Sequence, residues 1–223
     1  MPAPSPVARC VDASRVFGAG PAAVVAVHGT TCSITDRARV AVIGDSGSGK
    51  STLLHLLAGL ERPTTGTVDW PALDETERTF GIGVIFQSPS LVGPLTVAEN
   101  TALAAQLAGA SDPDDRAGDA LDLLGLSDLA DRLPEEISGG QAQRVAAARV
   151  LAQRPHLILA DEPTGQLDHD TGQHLMDVLV QVADRTGAAL LVSTHDPAVA
   201  QRLVEHWHIR AGRLTLSNPE ADR

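Results

Sequence analysis

A glycine-rich segment with a single lysine carries the clearest chemistry in this sequence. From Gly44 to Ser51 it reads GDSGSGKS, between the apolar stretch from Arg39 to Ile43 and a helix-like stretch from Ser51 to Leu60. Glycines let backbone N–H groups converge on phosphate oxygens, and the N-terminus of a following helix adds positive potential there. The segment therefore fits the P-loop pattern, in the strand–loop–helix context that this pattern requires. An ordinary glycine-rich turn is the alternative.

The lysine of this segment is the only lysine in the chain; all other cations among the 17 Lys and Arg residues are arginine. A compact ammonium fits beside phosphates, where the broad planar fork of arginine substitutes poorly. We therefore expect Lys50 to reach the β- and γ-phosphates of a nucleotide. The hydroxyl of Ser51 would hold Mg²⁺.

Two adjacent acids, Asp161 and Glu162, end a second apolar stretch, Leu157 to Ala160. The first acid suits Mg²⁺, usually through its water shell, as does the Asp after a hydrophobic strand in P-loop NTPases. The second can polarise an attacking water as a general base. Acids at a strand end can also simply cap a turn, and the following Pro163-Thr-Gly has the composition of one.

Two further polar residues follow apolar stretches of strand length. Gln87 comes after Ile82 to Phe86, and His195 comes after Ala188 to Thr194. A lone glutamine or histidine is more often a surface residue than a catalytic one. In a parallel sheet, however, the carboxyl ends of the strands share one edge, where ligands bind. Four polar sites, namely the P-loop, Gln87, Asp161-Glu162 and His195, would converge at this edge, which favours a nucleotide site.

The alternation of strand-like and helix-like stretches predicts an α/β fold with a mainly parallel sheet. Residues 96–152 contain no convincing strand. In that region a capping-box pattern, Thr96 to Glu99, opens a helix through Ala108. A polar loop is predicted for Ser111 to Asp115, and helical periodicity resumes from Asp119 to Leu124. Residues 96–152 are therefore interpreted as an inserted helical subdomain.

We interpret residues 1–223 as one domain. Its core would comprise about residues 7–95 and 153–214, and the residues from Thr215 onward would form a short tail.

A second glycine pair occurs in Ser138-Gly-Gly-Gln141, ahead of the helical stretch from Ala142 to Leu151. Ser138 at the N-cap and Gln141 at N3 make a capping box. A hydroxyl and glycine amides at a helix N-terminus also form an anion cradle. Both interpretations can hold together. Since the P-loop already serves one triphosphate, the second cradle raises the question of whose phosphate it contacts.

Composition narrows the class of protein. The formal net charge of −11 argues against a nucleic-acid surface. The longest apolar runs have strand length, well below the ~20 residues that span a bilayer. The N-terminal residues contain no apolar h-region, so no secretory signal is expected. The two cysteines, Cys10 and Cys32, are expected to be reduced thiols in a cytosolic protein.

The segment from Ile137 to Arg144 reads ISGGQAQR and resembles the signature motif of ATP-binding cassette (ABC) proteins. The P-loop, Gln87, Asp161-Glu162, Gln166-Leu-Asp168 and His195 complete the motif set in family order. The resemblance covers about residues 7–214, and together its motifs are very specific.

This resemblance implies a P-loop NTPase core with a mainly parallel sheet, a small antiparallel β-subdomain and an inserted helical subdomain. It implies ATP and Mg²⁺ as cofactors and a head-to-tail dimer around two ATP, in which each signature segment completes the other chain's site. It also implies a separate membrane permease, and hence a location on the inner face of the cell membrane. Nucleic acid is not an expected partner.

The resemblance assigns residue roles. Asp168 would lie at the dimer interface, and His195 would contact the γ-phosphate. Gln87 would touch Mg²⁺ and relay the nucleotide state to the permease. The family usually stacks an aromatic residue, often tyrosine, on adenine; this chain has no tyrosine, and Phe17 occupies about that place before the P-loop. The expected catalytic residues are Glu162, His195 and Lys50, and the expected metal ligands are Ser51, Gln87 and Asp161. The expected nucleotide contacts are Phe17, Gly44, Asp45, Ser46, Gly47, Ser48, Gly49, Lys50, Ser51, Thr52, Gln87, Ser138, Gly139, Gly140, Gln141 and Asp168.

Some details depart from the family pattern or refine it. Ile137 replaces the usual leucine, a volume-conserving change. The stretch from Gly66 to Gly81 is shorter than usual, which suggests a trimmed antiparallel subdomain. The segment from Glu162 to Asp168, EPTGQLD, is similar to the branch that serves lipoprotein release, macrolide or peptide export and cell division. That branch indicates export or extraction and a bacterial source.

Three other functions compete with this one. A cassette of the same kind could move a membrane partner mechanically without transport. Soluble cassette proteins that act on DNA or ribosomes typically carry two cassettes or coiled-coil insertions, and neither is found here. A small-molecule P-loop kinase would leave Ser138 to Gln141 and His195 without a role.

The alternating His206 and His208 could in principle bind a metal, but a third ligand is not evident. A terminal strand is the favoured interpretation.

Overall fold

The computed structural model describes residues 5–217, which form two β-sheets flanked by helices. The strands are β1 (Ala8–Phe17), β2 (Val24–Ile34), β3 (Arg39–Ile43), β4 (Thr65–Asp69), β5 (Ile82–Ile85), β6 (Leu157–Asp161), β7 (Ala189–Thr194), β8 (Glu205–Arg210) and β9 (Arg213–Ser217). The helices are α1 (Lys50–Leu57), α2 (Glu75–Phe80), α3 (Val97–Leu107), α4 (Pro113–Leu123), α5 (Gly139–Gln153), α6 (His169–Thr186) and α7 (Pro197–Ala200). The architecture is α/β, as predicted.

The larger sheet has the strand order β5-β6-β7-β3-β8-β9. Its first five strands are parallel, and β9 pairs antiparallel with β8. Alternate residues of one strand enter different cores: Ile158 and Ala160 pack with α5 and α6, whereas Leu157 and Leu159 pack with α1 and the smaller sheet. Burial on both faces explains why β3, β6 and β7 are continuous apolar runs.

The smaller sheet is antiparallel, with the order β2-β1-β4, which confirms the expected antiparallel unit. Register shifts interrupt the β1–β2 pairing, between Cys10 and Ala13 among other places. Cys10 lies directly opposite Cys32, and both thiols are free and buried. A hydrogen bond with the Cys10 thiol, together with burial, raises the pKa of Cys32.

Residues 96–152 fold into α3, α4 and α5, which pack on one another. The capping box at Thr96 is present, since its side chain accepts from the N–H of Glu99 and the Glu99 carboxylate accepts from the N–H of Thr96. The predicted loop from Ser111 to Asp115 was wrong beyond Asp112. Helix α4 begins at Pro113, because proline is tolerated at the first helical position and the following acids favour a helix N-terminus.

Other boundaries also differ from the predictions. Helix α1 ends at Leu57 rather than Leu60, because Gly59 turns the chain with φ of +72°. Thr215 lies in β9 rather than in a tail, and residues 218–223 lie outside the described residues. His206 and His208 lie in β8, the strand favoured over a metal site. Within residues 5–217, no helix is long and apolar enough to cross a membrane.

A buried asparagine on α3 organises the connection that leads from β5 into the helical region. The Asn100 side chain is fully buried; its Oδ1 accepts from the N–H of Val92 at 2.8 Å. Its Nδ2 donates to the carbonyl oxygens of Val92, Leu95 and Thr96 at 3.0, 2.9 and 3.1 Å. One buried side chain thus joins backbone groups at both ends of the loop from Val92 to Thr96 and fixes its conformation.

Replacing this asparagine should therefore destabilise the chain. We expect Asn100→Ala to lower the free energy of unfolding by roughly 2 kcal/mol, because the four hydrogen bonds that fix the loop are lost. The exposed Gln106→Ala on the same helix is the matched control and should change it by less than about 0.5 kcal/mol. Denaturant titration of both variants measures this. Equal midpoints for the two would contradict the role of Asn100.

Candidate functional site

The carboxyl ends of four adjacent strands, β5, β6, β7 and β3, meet at one edge of the larger sheet. A cavity of about 780 Å³ opens there. Its walls include Lys50 of the P-loop, Gln87 after β5, Glu162 after β6 and His195 after β7. The topology therefore brings together side chains that lie up to 145 positions apart in the sequence, from Lys50 to His195.

The P-loop has a backbone that side chains would obstruct. Gly47 and Gly49 have φ of +74° and +109°, and a Cβ at Gly49 would lie 2.3 Å from the carbonyl oxygen of Ala26. Lys50 begins α1, and its Nζ donates back to the carbonyl oxygens of Gly44 and Asp45 at 2.8 and 3.0 Å. The loop thus curls around its own ammonium, as expected for a phosphate cradle.

The ammonium also pairs with an acid from β6. Lys50 Nζ lies 3.1 Å from Glu162 Oε1, and the two side chains are only 5% and 17% exposed. The other carboxylate oxygen of Glu162 lies 3.0 Å from His195 Nδ1. Lysine, glutamate and histidine therefore form a continuous polar chain across the floor of the cavity.

The backbone of Glu162 is in the left-handed region, with φ of +45°. Its N–H donates to the carbonyl oxygen and the hydroxyl of Ser193, at 3.1 and 3.0 Å, which holds this unusual conformation. Residues in such conformations cluster at functional sites, because surrounding structure must maintain them. The turn aims the carboxylate of Glu162 into the cavity while the preceding Asp161 stays within the strand.

Asp161 is 5% exposed and does not line the cavity. Its Oδ1 accepts from the hydroxyl of Ser193 at 2.5 Å. Ser51, at the exposed first turn of α1, does line the cavity. A carboxylate, a hydroxyl and the amide oxygen of Gln87 are all hard oxygen donors, which is the ligand type that Mg²⁺ prefers.

The remaining predicted site residues lie at different places. Asp45, Ser46 and Thr52 line the cavity. Gly44 and Ser48 belong to the P-loop but are not among the residues that line the cavity in the described chain, and a Cβ at Gly44 would lie 2.6 Å from Ser48 Oγ.

Phe17 ends β1 opposite Val24, itself a wall residue, and the Arg15 guanidinium covers the Phe17 ring at 4.6 Å. Phe17 itself is not among the described residues that line the cavity.

The signature segment does not form part of this cavity: none of Ser138 to Gln141 is among the described residues that line it. Ser138 caps α5, accepting from the N–H of Gln141 at 3.2 Å, while Gln141 Oε1 accepts from the N–H of Ser138 at 2.7 Å. Asp168 caps α6, and its bond from the N–H of Thr171 lowers the pKa of its carboxyl group. Both segments are exposed, and each caps a helix.

Sequence reasoning missed one wall of the cavity, formed by Val24, Val25, Ala26, His28, Ala211 and Gly212. The last two residues are the tip of the β8–β9 hairpin. The N–H of Gly212 donates to the carbonyl oxygen of Ser48, and its own carbonyl oxygen accepts from the N–H of His28, both at 2.8 Å. The tip thus joins the P-loop to β2. The Ala-Gly turn is a weak hairpin signal, because alanine rarely adopts the positive φ that such a turn requires, and the sequence does not predict its contact with the P-loop.

A model of the ABC transporter family matches residues 27–165 of the chain, which is more than half of its length. The chain belongs to the ABC transporter family. It is an ATP-binding cassette with the ATP-hydrolysing activity of that family.

Individual relatives agree with this assignment. An uncharacterised ABC transporter ATP-binding protein of Mycobacterium tuberculosis is 42% identical over 186 residues, covering 78% of this chain and 75% of that protein. The lipoprotein-releasing system ATP-binding protein LolD of Gluconobacter oxydans is 41% identical over 217 residues, covering 92% and 94%. A dimeric post-hydrolysis structure of the cassette MJ0796, bound to ADP and Pi, has a TM-score of 0.86 at 32% identity, covering 95% of this chain and 98% of that one.

The hairpin tip yields a prediction for ATP binding. Gly212 has φ of +74°, and an added Cβ would lie 2.9 Å from the carbonyl oxygen of Ala26. Gly212→Ala must therefore displace the tip that holds the P-loop, and we expect KM for ATP to rise by roughly tenfold. Ala211→Gly is the matched control, because glycine tolerates the φ of +46° there. Steady-state kinetics on both variants test this, and an unchanged KM for Gly212→Ala would refute it.

Proposed function

We propose that this ABC cassette hydrolyses ATP in a head-to-tail dimer and thereby drives a separate membrane permease. The observation that carries the proposal is the division of the site within one chain. The P-loop, Glu162 and His195 line one cavity, whereas Ser138 to Gln141 lie outside it and present an exposed helix N-terminus. A second copy would bring its signature segment to the open side of the cavity. The dimeric MJ0796 structure with ADP and Pi supports this arrangement.

The chain's own residues suffice for binding the phosphates. The P-loop presents backbone N–H groups and the N-terminus of α1, both of which attract anions. Lys50 exchanges carbonyl and carboxylate partners for phosphate oxygens, which offer the same charge-assisted bonds. Phe17 would stack on adenine beside the wall of Val24 and Val25, with the Arg15 guanidinium on the ring.

Hydrolysis requires a base and a stabiliser of negative charge. Glu162 accepts a proton from the attacking water. The oxygen of that water bonds to the γ-phosphorus, and the bond between the γ-phosphorus and the β–γ bridging oxygen breaks. His195, 3.0 Å from Glu162 through Nδ1, has its other ring nitrogen available to donate to a γ-phosphate oxygen. Ser138 and the amides of Gly139 and Gly140 from the second copy would stabilise the same phosphate.

The oxygen donors of the site suit Mg²⁺. Ser51, Gln87 and Asp161 would hold it. Mg²⁺ bound by these groups supplies positive charge that stabilises the phosphates in the transition state. Asp161 is held by its place in β6 and by the hydroxyl of Ser193.

The named relatives and the EPTGQLD segment support a proposal for the class of transported substrate and for the location of the cassette. Several relatives are named as ATP-binding proteins of lipoprotein-releasing systems and match nearly the full chain. We infer that this chain powers extraction or export of a lipid-anchored or hydrophobic substrate through its permease. The cassette would sit on the inner face of the membrane, docked through α3, α4 and the surface near Gln87.

The base assignment makes a kinetic prediction. Glu162→Gln should lower ATP turnover by at least about 100-fold, because an amide cannot accept the water's proton. ATP binding should persist, and an ATP-bound dimer should accumulate. Turnover assays and sedimentation with and without ATP measure both effects. Glu75→Gln on α2, exposed and remote, is the matched control. Undiminished hydrolysis in Glu162→Gln would remove this residue from the base role.

The permease assignment is tested by co-purification. The tagged chain, expressed in its source organism, should retain a multi-span membrane protein after detergent solubilisation, and ATPase activity of the complex should respond to a lipidated peptide. A complex that forms but responds only to a partner outside the membrane would favour mechanical signalling over transport. Recovery of the cassette alone, under conditions that preserve other transporters, would count against the proposal.

A further inference from the structure

A buried glutamine ties the signature helix to the polypeptide around Gln87. Gln143 on α5 is 1% exposed, and its Nε2 donates to the carbonyl oxygen of Phe86 at 2.9 Å. Further along the same helix, Arg149 donates to the carbonyl oxygens of Ser90 and Pro89 at 3.2 and 3.4 Å. Residues 86–90, called the Gln87 segment below, are thus held by two side chains of α5.

The Gln87 segment is held from a second direction as well. Gln166 Nε2 donates to the carbonyl oxygen of Gln87 at 3.3 Å. The neighbouring Leu167 packs against the start of α5, since a Cβ at Gly140 would lie 3.2 Å from its side chain. Four carbonyl oxygens between residues 86 and 90 therefore accept bonds from α5 or from the loop that contacts it.

The hydrogen-bonding state of Gln143 indicates a role beyond packing. Its Oε1 is buried and has no partner among the described residues. Its Nε2, by contrast, satisfies the carbonyl oxygen of Phe86, which an apolar side chain of the same shape would leave without this donor. The one bond that the amide makes therefore goes to the Gln87 segment.

The bond from Gln143 to Phe86 lies between the ATP cavity and the signature segment. Gln87 lies in the wall of the chain's own ATP cavity. Ser138 begins α5, roughly 7.5 Å along the helix axis from Gln143. Because a helix moves as a rigid rod over such a distance, a displacement of the Gln87 segment is carried to the signature segment.

We propose that Gln143 is a positioning residue that couples the two ATP sites of the dimer. It fixes the Gln87 segment to α5, so that nucleotide contact at Gln87 in one chain sets the position of Ser138 to Gln141 at the partner's phosphate. The proposal rests on the composite site described under Proposed function and adds the route between its two halves.

Mixed dimers separate the two chains' contributions. In a trans arrangement, a trace of wild-type chain is assayed with excess chain carrying Glu162→Gln and Gln143→Met. In a cis arrangement, the trace chain carries Gln143→Met and the excess chain carries Glu162→Gln alone. Hydrolysis then occurs only at the trace chain's ATP, and only the trans arrangement has the altered helix facing it. Methionine keeps the side-chain length and removes the donor.

We expect the trans arrangement to lose about 3- to 10-fold in turnover, the value of one hydrogen bond, and the cis arrangement to change less than about twofold. The Hill coefficient of Gln143→Met alone should fall towards 1, while ATP affinity of the isolated chain stays unchanged. Gln181→Met, on the exposed face of α6, is the matched control and should change none of these. Arg149→Met is an independent second variant with the same expected pattern, should Gln143→Met fold poorly.

Ser138→Ala, assayed in the same two arrangements, distinguishes the possible failures. If Ser138→Ala reduces turnover in cis, the composite site is wrong and the coupling falls with it. If Ser138→Ala reduces turnover in trans, the composite site stands. In that case the coupling role of Gln143 is overturned when Gln143→Met and Arg149→Met reduce turnover in cis, equally in both arrangements or in neither.

Discussion

The burial of one ammonium group governs how this structure is put together. Lys50 is 5% exposed, and a charge withdrawn from water is tolerated only with close partners. Two partners are carbonyl oxygens of the P-loop itself, and the third is Glu162 at the end of β6. The third partner lies at the end of β6, which β7 separates from β3, and it reaches Lys50 from the left-handed turn at Glu162. Sheet order, strand ends and backbone conformation thus all contribute to placing the partners of this one side chain.

Part of this arrangement could be predicted from sequence because its signals are local. The strand β3 was predicted with its observed bounds, since burial on both faces produces a continuous apolar run. The edge where Gln87, Glu162 and His195 meet followed from the rule that parallel strands share their carboxyl ends. The capping boxes at Thr96 and Ser138 were equally local, because each involves residues only three positions apart.

Other parts depend on contacts between distant residues and left no such signal. The strands β1 and β2 were not recognised individually, because register shifts break their alternation of apolar and polar residues. Helix α6 was missed although Asp168 caps its start and Gly187 its end, a signal that could have been used. Neither the contact of Gly212 with the P-loop nor the bond from Gln143 to Phe86 could be predicted, since a residue's type does not say which distant carbonyl it meets.

The facing thiols of β1 and β2 have a practical consequence for observing motion in this protein. Cys10 and Cys32 are buried, and their mutual hydrogen bond keeps Cys32 protonated. Because the thiolate is the form that reacts, a buried protonated thiol is slow towards maleimides and nitroxide reagents. The two native cysteines are therefore expected to contribute little unwanted labelling when a probe is attached to an introduced cysteine. A single cysteine introduced on the exposed surface of α5 or α6 would carry a probe there without removal of the two natural ones.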